Sequence, residues 1–189
     1  MTEELEVVRA FLNTWELPNE TRVAEDHLPA LAADPERWGA TLPGVPPPGP
    51  GVGVDALRRL RDELRAALGT SRPTSLQGRL ATLRLRPEVT APPAGTSAGT
   101  DAAPPSGPAL RLVPDPVTTE SALLTLVVGA VRDGTWWRLR ACPDCGWAFY
   151  DSSRNGRRAW CSMTAGPGAR GCGSIAKTRA YRARRRAAG

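Results

Sequence analysis

All four cysteines of this 189-residue chain lie in its last third, as Cys142-Pro-Asp-Cys145 followed by Cys161 and Cys172. Fifteen residues separate Cys145 from Cys161, and ten separate Cys161 from Cys172. A C-x2-C pair holds an ion from one tight turn, and two thiols supplied by later segments complete a tetrahedron. The spacing therefore predicts one structural Zn2+ held by Cys142, Cys145, Cys161 and Cys172, in preference to a disulfide, free thiols or an iron–sulfur cluster.

The rest of the chain sets the compartment. The longest apolar run, Ala122 to Val131, contains Thr125 and Gly129 and falls far short of a bilayer span, and the start Met1-Thr-Glu-Glu is unlike a secretory signal. A cytoplasmic location is expected, and there thiols stay reduced and favour metal.

Charge divides the chain in two. Residues 1–131 hold 12 Lys/Arg against 16 Asp/Glu, a balance of −4, whereas residues 132–189 hold 13 against 3, a balance of +10. A mildly acidic body joined to a strongly basic end predicts two domains, 1–131 and 132–189, the second of them an anion-binding module.

Within the first, Leu5, Val8, Phe11, Leu12 and Trp15 recur at helical spacing and predict a helix over 3–15. Asp34-Pro35 reads as an N-cap and N1 proline for a short helix through Trp38. The single histidine, His27, has no second ligand near it in sequence and reads as a surface or capping residue. The stretch 42–53 holds five prolines and four glycines and predicts a stiff connector. Asp55 would cap a helix over 56–68 with Leu57, Leu60, Leu64 and Leu68 inward and Arg58, Arg61, Asp62 and Arg65 outward.

Strands are expected over 79–86 and 110–113, paired antiparallel, with 87–108 a loop too poor in large apolar residues to pack. Thr118 or Thr119 should cap a helix to about 131 that buries Leu123, Leu124, Val127, Val128 and Val131. The fold class expected is α+β: a helical body with a small β-hairpin, then a module of treble-clef or zinc-ribbon type ending in a basic helix. This half contains no glycine-rich phosphate loop, histidine dyad or spaced carboxylate pair, so no catalytic residue is expected and an enzyme is the weakest reading.

In the cysteine-rich end, Gly146 lets the knuckle turn, and Trp147 and Phe149 alternate with Ala148 and Tyr150 along a strand. Trp136, Trp137, Trp147 and Trp160 read as a small core around the metal. This end resembles the CGNR zinc-finger family, in which a domain called ABATE precedes the finger. The matching residues are Arg140-Ala-Cys-Pro-Asp-Cys-Gly-Trp-Ala-Phe-Tyr-Asp-Ser-Ser-Arg-Asn155, Arg157-Arg-Ala-Trp-Cys-Ser-Met163, and Cys172-Gly173 with the run Ala176 to Arg186. Val8 to Thr14 and Asp26-His-Leu28 carry a looser likeness to the ABATE domain. The resemblance implies a transcriptional regulator. Two departures stand out: the family's Cys-Gly-Asn-Arg is here Cys172-Gly-Ser-Ile175, and Thr164 to Gly171 carries an insertion.

Ser174 reads as the cap of a helix over 175–186 that carries Lys177, Arg179, Arg182, Arg184, Arg185 and Arg186. Arg154, Arg157 and Arg158 add to the basic patch, and these nine residues are the expected DNA contacts. DNA is preferred over RNA because only Tyr181 interleaves with the arginines, and a membrane surface is disfavoured because the tail lacks an apolar face. The competing class is a zinc-stapled RNA- or protein-interaction module. A body that senses a small-molecule effector or forms a homodimer would complete a regulator.

Overall fold

The computed structural model describes residues 3–19, 21–90, 109–163, 165–166 and 169–187. Helix α1 spans Glu3–Leu12, with Glu3, Glu4 and Glu6 in its first turn, where they suit the helix dipole, and Leu5, Val7, Val8, Phe11 and Leu12 buried. It stops short of the expected Trp15. Asn13 and Trp15 are drawn away to contacts described below, and Trp15–Glu16 becomes β1, paired antiparallel with β2, Glu25–Asp26. His27 follows at the N-cap position of α2, Leu28–Ala32, without capping it through its side chain. Its Nε2 instead lies 3.2 Å from Glu16 Oε1 and 3.7 Å from Glu25 Oε2 at the surface.

Helix α3, Pro35–Thr41, begins as expected, with Asp34 accepting from the Arg37 N–H at 3.0 Å and Pro35 in the first turn. Its Trp38 is fully buried, and Nε1 donates to the Val45 carbonyl at 3.0 Å. That bond ties the proline-rich connector, which forms neither helix nor strand, onto the body.

Helix α4, Val54–Ala66, is capped by Gly53, and Asp55 sits in its first turn bonded to Arg58 rather than serving as the cap. Leu57, Leu60 and Leu64 are buried as their spacing predicts. Arg61, expected outward, is 3% exposed: its Nη1 donates to Asp26 Oδ1 at 2.7 Å and to Thr14 Oγ1 at 3.0 Å. A buried partner on another element overrides the polar pattern of the helix.

The strand expected over 79–86 is corrected. Thr74–Leu76 forms a 3-10 turn that runs into α5, Gln77–Thr82, because Leu76 and Leu80 turn into the core and Arg79 pairs with Glu63 of α4 and with Glu120. Strand β3 begins only at Leu85–Thr90 and pairs antiparallel with β4, Ala109–Pro114, from Leu85↔Pro114 to Thr90↔Ala109. Four residues of the expected loop thus belong to β3, and 91–108 lie outside the described residues.

Helix α6, Thr119–Arg132, opens on a reciprocal capping box between Thr118 and Ser121. Leu123, Leu124 and Val127 are buried and Val128 is half-buried, but Val131 at the last turn is 38% exposed. The main core gathers α1, α2, α3, α4 and α6 around Phe11, Leu12, Trp38, Leu60, Leu64 and Leu123. It continues beyond α6 into Trp136, Leu139 and Ala148. With two-stranded antiparallel hairpins beside the helices, the fold is the mixed α+β arrangement that the sequence predicts.

Candidate metal centre

Strands β5, Leu139–Ala141, and β6, Ala148–Tyr150, form a short antiparallel hairpin with Cys142-Pro-Asp-Cys145-Gly146-Trp147 at its tip. The Gly146 N–H donates to the Cys142 carbonyl at 2.8 Å, and the Cys142 N–H to the Trp147 carbonyl at 2.9 Å, which closes the knuckle. Gly146 has φ +68°, and a Cβ there would lie 2.7 Å from the Trp15 ring and 3.0 Å from Arg65 Nη2. Both conformation and space therefore require glycine at this position.

Cys161 arrives on the loop after β6, and Cys172 is the first residue of α7, Cys172–Ala187. Helix α7 thus begins earlier than the expected Ser174 cap, and the Ser174 hydroxyl donates to the Met163 carbonyl. Between the two cysteines, Ala165–Gly166 (β7) and Ala169–Arg170 (β8) pair as a minimal hairpin within the insertion.

The four thiol sulfurs lie within 4.8 Å of one another, with Cys145–Cys161 and Cys161–Cys172 both at 3.7 Å. Tetrahedral zinc with Zn–S bonds of ~2.3 Å has S···S edges of ~3.8 Å, whereas a disulfide needs ~2 Å. Without a cation the crowded sulfurs do not ionise together. Cys142 is held far below the ordinary thiol range by hydrogen bonds from Cys145 and Cys161, Cys161 is driven far above it by Cys142 and Cys145, and burial pushes Cys172 up to about 12. Four thiolates this close repel unless a cation sits among them, and three of the four are buried with Phe149 against them. The set suits one structural zinc.

Neighbouring elements orient the ligands. Asn13 binds the Ala148 backbone twice, its Nδ2 donating to the carbonyl at 2.9 Å and its Oδ1 accepting from the N–H at 2.7 Å. Arg65 donates to the Leu12 carbonyl at 2.9 Å and to the Gly146 carbonyl at 2.5 Å, with its guanidinium 4.7 Å above the Trp15 ring. Asn19 Nδ2 donates to Cys172 Sγ at 3.6 Å. Such contacts fix ligand direction and help to offset thiolate charge.

The loop after β6 is held by Asp151, which is fully buried. Burial works to raise its carboxyl, but the Ser153 hydroxyl and the Ser153 and Arg158 N–H groups outweigh burial and hold it low. Gly156, at φ +60°, lies under Trp137, whose ring would collide with a Cβ there. Arg138 stacks on that same ring at 4.7 Å and donates to the Asp151 and Ser153 carbonyls, both at 2.9 Å. The expectation of four tryptophans around the metal is accordingly corrected. Trp147 and Trp160 pack there, whereas Trp136 belongs to the main core and bonds the Ala67 carbonyl, and Trp137 covers Gly156. The physical reason is the 3-10 turn Trp136–Arg138, which points the two neighbouring rings in different directions.

The nine expected DNA contacts are placed unequally. Arg154 and Arg157 are exposed on the Asp151-held loop, and Lys177, Arg182, Arg184, Arg185 and Arg186 are exposed along α7. Arg158 lies 5.2 Å above the Phe149 ring and donates to the Trp160 and Cys161 carbonyls. Arg179 bonds Asp144. Sequence reasoning overlooked Asn19, Arg22, Arg65, Asp144 and Asp151. Asn13, Asp144 and Asp151 carried a signal, since they stand in the stretches Val8 to Thr14 and Arg140 to Asn155 that bear the family likeness. Among the described residues no helix is long and apolar enough to cross a membrane.

No curated protein matches the chain. The family model for the CGNR zinc finger matches residues 138–185, a span that holds the hairpin, all four thiols and most of α7, so this part of the chain is a zinc-binding CGNR finger.

Proposed function

We propose that the protein is a zinc-dependent, DNA-binding transcriptional regulator, in which the helical body senses an effector or pairs two copies and the finger binds DNA. The observation that carries this is the surface of α7. The metal site anchors its first turn, and from Lys177 to Ala187 every residue is exposed. Sixteen residues make a helix ~24 Å long. A helix with no apolar stripe and repeated cations at i, i+3 and i+4 has little to stabilise it alone, and phosphates relieve its self-repulsion. Its width suits a DNA major groove, and Arg154 and Arg157 extend the cationic surface.

Four thiolates would fill the coordination positions of a tetrahedral zinc and leave none open, the pattern of a structural rather than a catalytic site. No enzymatic step is therefore proposed.

One observation favours a second reading. Trp160, Met163, Gly173, Ala176, Lys177 and Ala180 line a shallow cleft beside α7, and Met163 and Tyr181 are more than half exposed. An apolar slot with Lys177 in its lining also suits an unstacked base of single-stranded RNA.

The test titrates the zinc-loaded full chain against duplex DNA and single-stranded RNA at several salt concentrations. If α7 and its loop neutralise about four to six phosphates, log K falls against log salt with a slope of roughly −4 to −5 for duplex, and Arg182→Ala reduces it by about one. Ile175→Arg, which restores the family's basic residue, should tighten binding. A flat salt dependence, or equal binding after deletion of residues 177–189, overturns the nucleic-acid reading. Stronger binding to RNA selects the second.

A further inference from the structure

Asp144 stands between two zinc ligands in the knuckle, and its side chain is 6% exposed. Two arginines from opposite parts of the chain converge on it. From the body, Arg22 Nη2 donates to the Asp144 carbonyl at 3.0 Å and Nη1 to Oδ2 at 3.5 Å. From the helix, Arg179 Nη1 donates to Oδ1 at 2.6 Å.

Two features show that the contact from the body is specified. Arg22 is the non-glycine residue with positive φ, +54°, among the described residues, a conformation such residues rarely adopt without compensation. Its Nη1 also donates to Asn19 Oδ1 at 3.3 Å, while Asn19 Nδ2 reaches Cys172 Sγ at 3.6 Å. The loop from Asn19 to Arg22 thus touches both the knuckle and the first residue of α7.

The contact from the helix sits where leverage is greatest. Arg179 is seven residues beyond Cys172, two turns along the same face, and among the described residues it is the α7 side chain farthest out that bonds the rest of the chain. About 12 Å of helix lies beyond it, so slack at this bond swings Arg182 to Arg186 through a wide arc.

We propose that Asp144 is a positioning residue for nucleic-acid binding: gripped by Arg22 and Arg179, it sets the direction of α7 relative to the body, and Arg179 serves this grip and not a phosphate. The inference rests on the reading of α7 as the DNA-binding element. It gives the body a route to that element, because a change in the Asn19 to Arg22 loop releases one hand of the grip and re-aims the helix.

The experiment compares wild type with Asp144→Asn, Arg179→Gln and Arg22→Gln, each as the zinc-loaded full chain with zinc content measured. The first readout needs no DNA: 15N relaxation and residual dipolar couplings of the α7 amides. Lower order beyond residue 177 is expected in Asp144→Asn and Arg179→Gln, and an altered α7 direction in all three. Arg179→Gln lies outside the knuckle and decides the matter should Asp144→Asn disturb the metal. The second readout is duplex DNA binding against salt. Asp144→Asn and Arg179→Gln are each expected to weaken binding about three- to tenfold, with the double variant no worse than either single one. The salt slope should not change in Arg179→Gln, whereas it falls by about one in Arg182→Ala. An α7 as ordered and as oriented in Arg179→Gln as in wild type overturns the proposal, and so does a slope lowered by about one in Arg179→Gln. If wild type binds no DNA, the functional reading fails by itself and the amide measurements still judge the grip.

Discussion

Trp38 and Cys145 are both fully buried, yet they are held in different ways. Trp38 belongs to an apolar core shared with α1 and α2, so loss of any one neighbour costs a part of the whole. Cys145 lies among three other thiols, and its packing depends on an ion that neutralises them together. Single losses in the body should therefore be graded in their effect, while loss of the metal from the finger should be close to all-or-none. What joins them is neither a linker nor a broad apolar face alone. Trp136, Leu139 and Ala148 enter the body's core, and Asn13 and Arg65 bond the knuckle backbone.

Removing zinc is the strongest way to break this comparison. Structural zinc contributes on the order of 10 kcal/mol to small modules, so chelation or Cys161→Ser should unfold the knuckle and α7 while α1, α4 and α6 stay folded. Two separate transitions by circular dichroism, with the body's own retained, are expected. A single joint transition would mean that the finger and the body are one cooperative unit.

Next in size is the shared core. Trp136→Ala removes a buried ring and its bond to the Ala67 carbonyl, and should cost about 3–5 kcal/mol in the transition of the body rather than in zinc affinity. A fragment of residues 1–131, which lacks Trp136, Leu139 and Ala148, should be helical without zinc but less stable than the body within the full chain. Equal stability in denaturant would show that these three residues belong energetically to the finger.

Within the body, Arg61→Ala strips the buried partner from Asp26 and should cost about 3 kcal/mol, whereas Arg61→Met, which retains the packing, should cost less. Among the described residues Arg61 Nε has no hydrogen-bond partner, which favours the milder result for methionine. Urea melts of the two variants decide between charge and packing as its main contribution.

The smallest effect concerns pH. Burial works to raise the Asp26 carboxyl, but the Arg61 and Arg58 hydrogen bonds prevail and hold it at about 2, below its ordinary 3.8. A depressed carboxylate contributes stability that is present above the unfolded value and lost as pH falls through the folded one. The advantage of wild type over Asp26→Asn should therefore shrink between about pH 4 and pH 2, by about 1 kcal/mol once solvent screening is allowed for. An advantage independent of pH would assign the role of Asp26 to shape rather than charge.

The sequence by itself determined the metal set, because cysteine spacing and tetrahedral chemistry are local constraints that few other arrangements satisfy. It also determined the cap at Asp34, the leucine stripe of α4 and the basic character of α7, and it narrowed the cap of α6 to Thr118 or Thr119, each of which rests on residues within one or two turns. Tertiary structure decided the rest. Arg61 turned inward because Asp26 waits there, α5 formed where alternation suggested a strand because Arg79 meets Glu63 and Glu120, and Trp136 left the metal for the body's core. The contacts of Asn19, Arg22 and Asp144 lie more than a hundred residues apart in sequence, and no short-range pattern records them. Local periodicity encodes which face of an element is apolar, but the partner that a polar side chain will meet becomes known only when another element arrives.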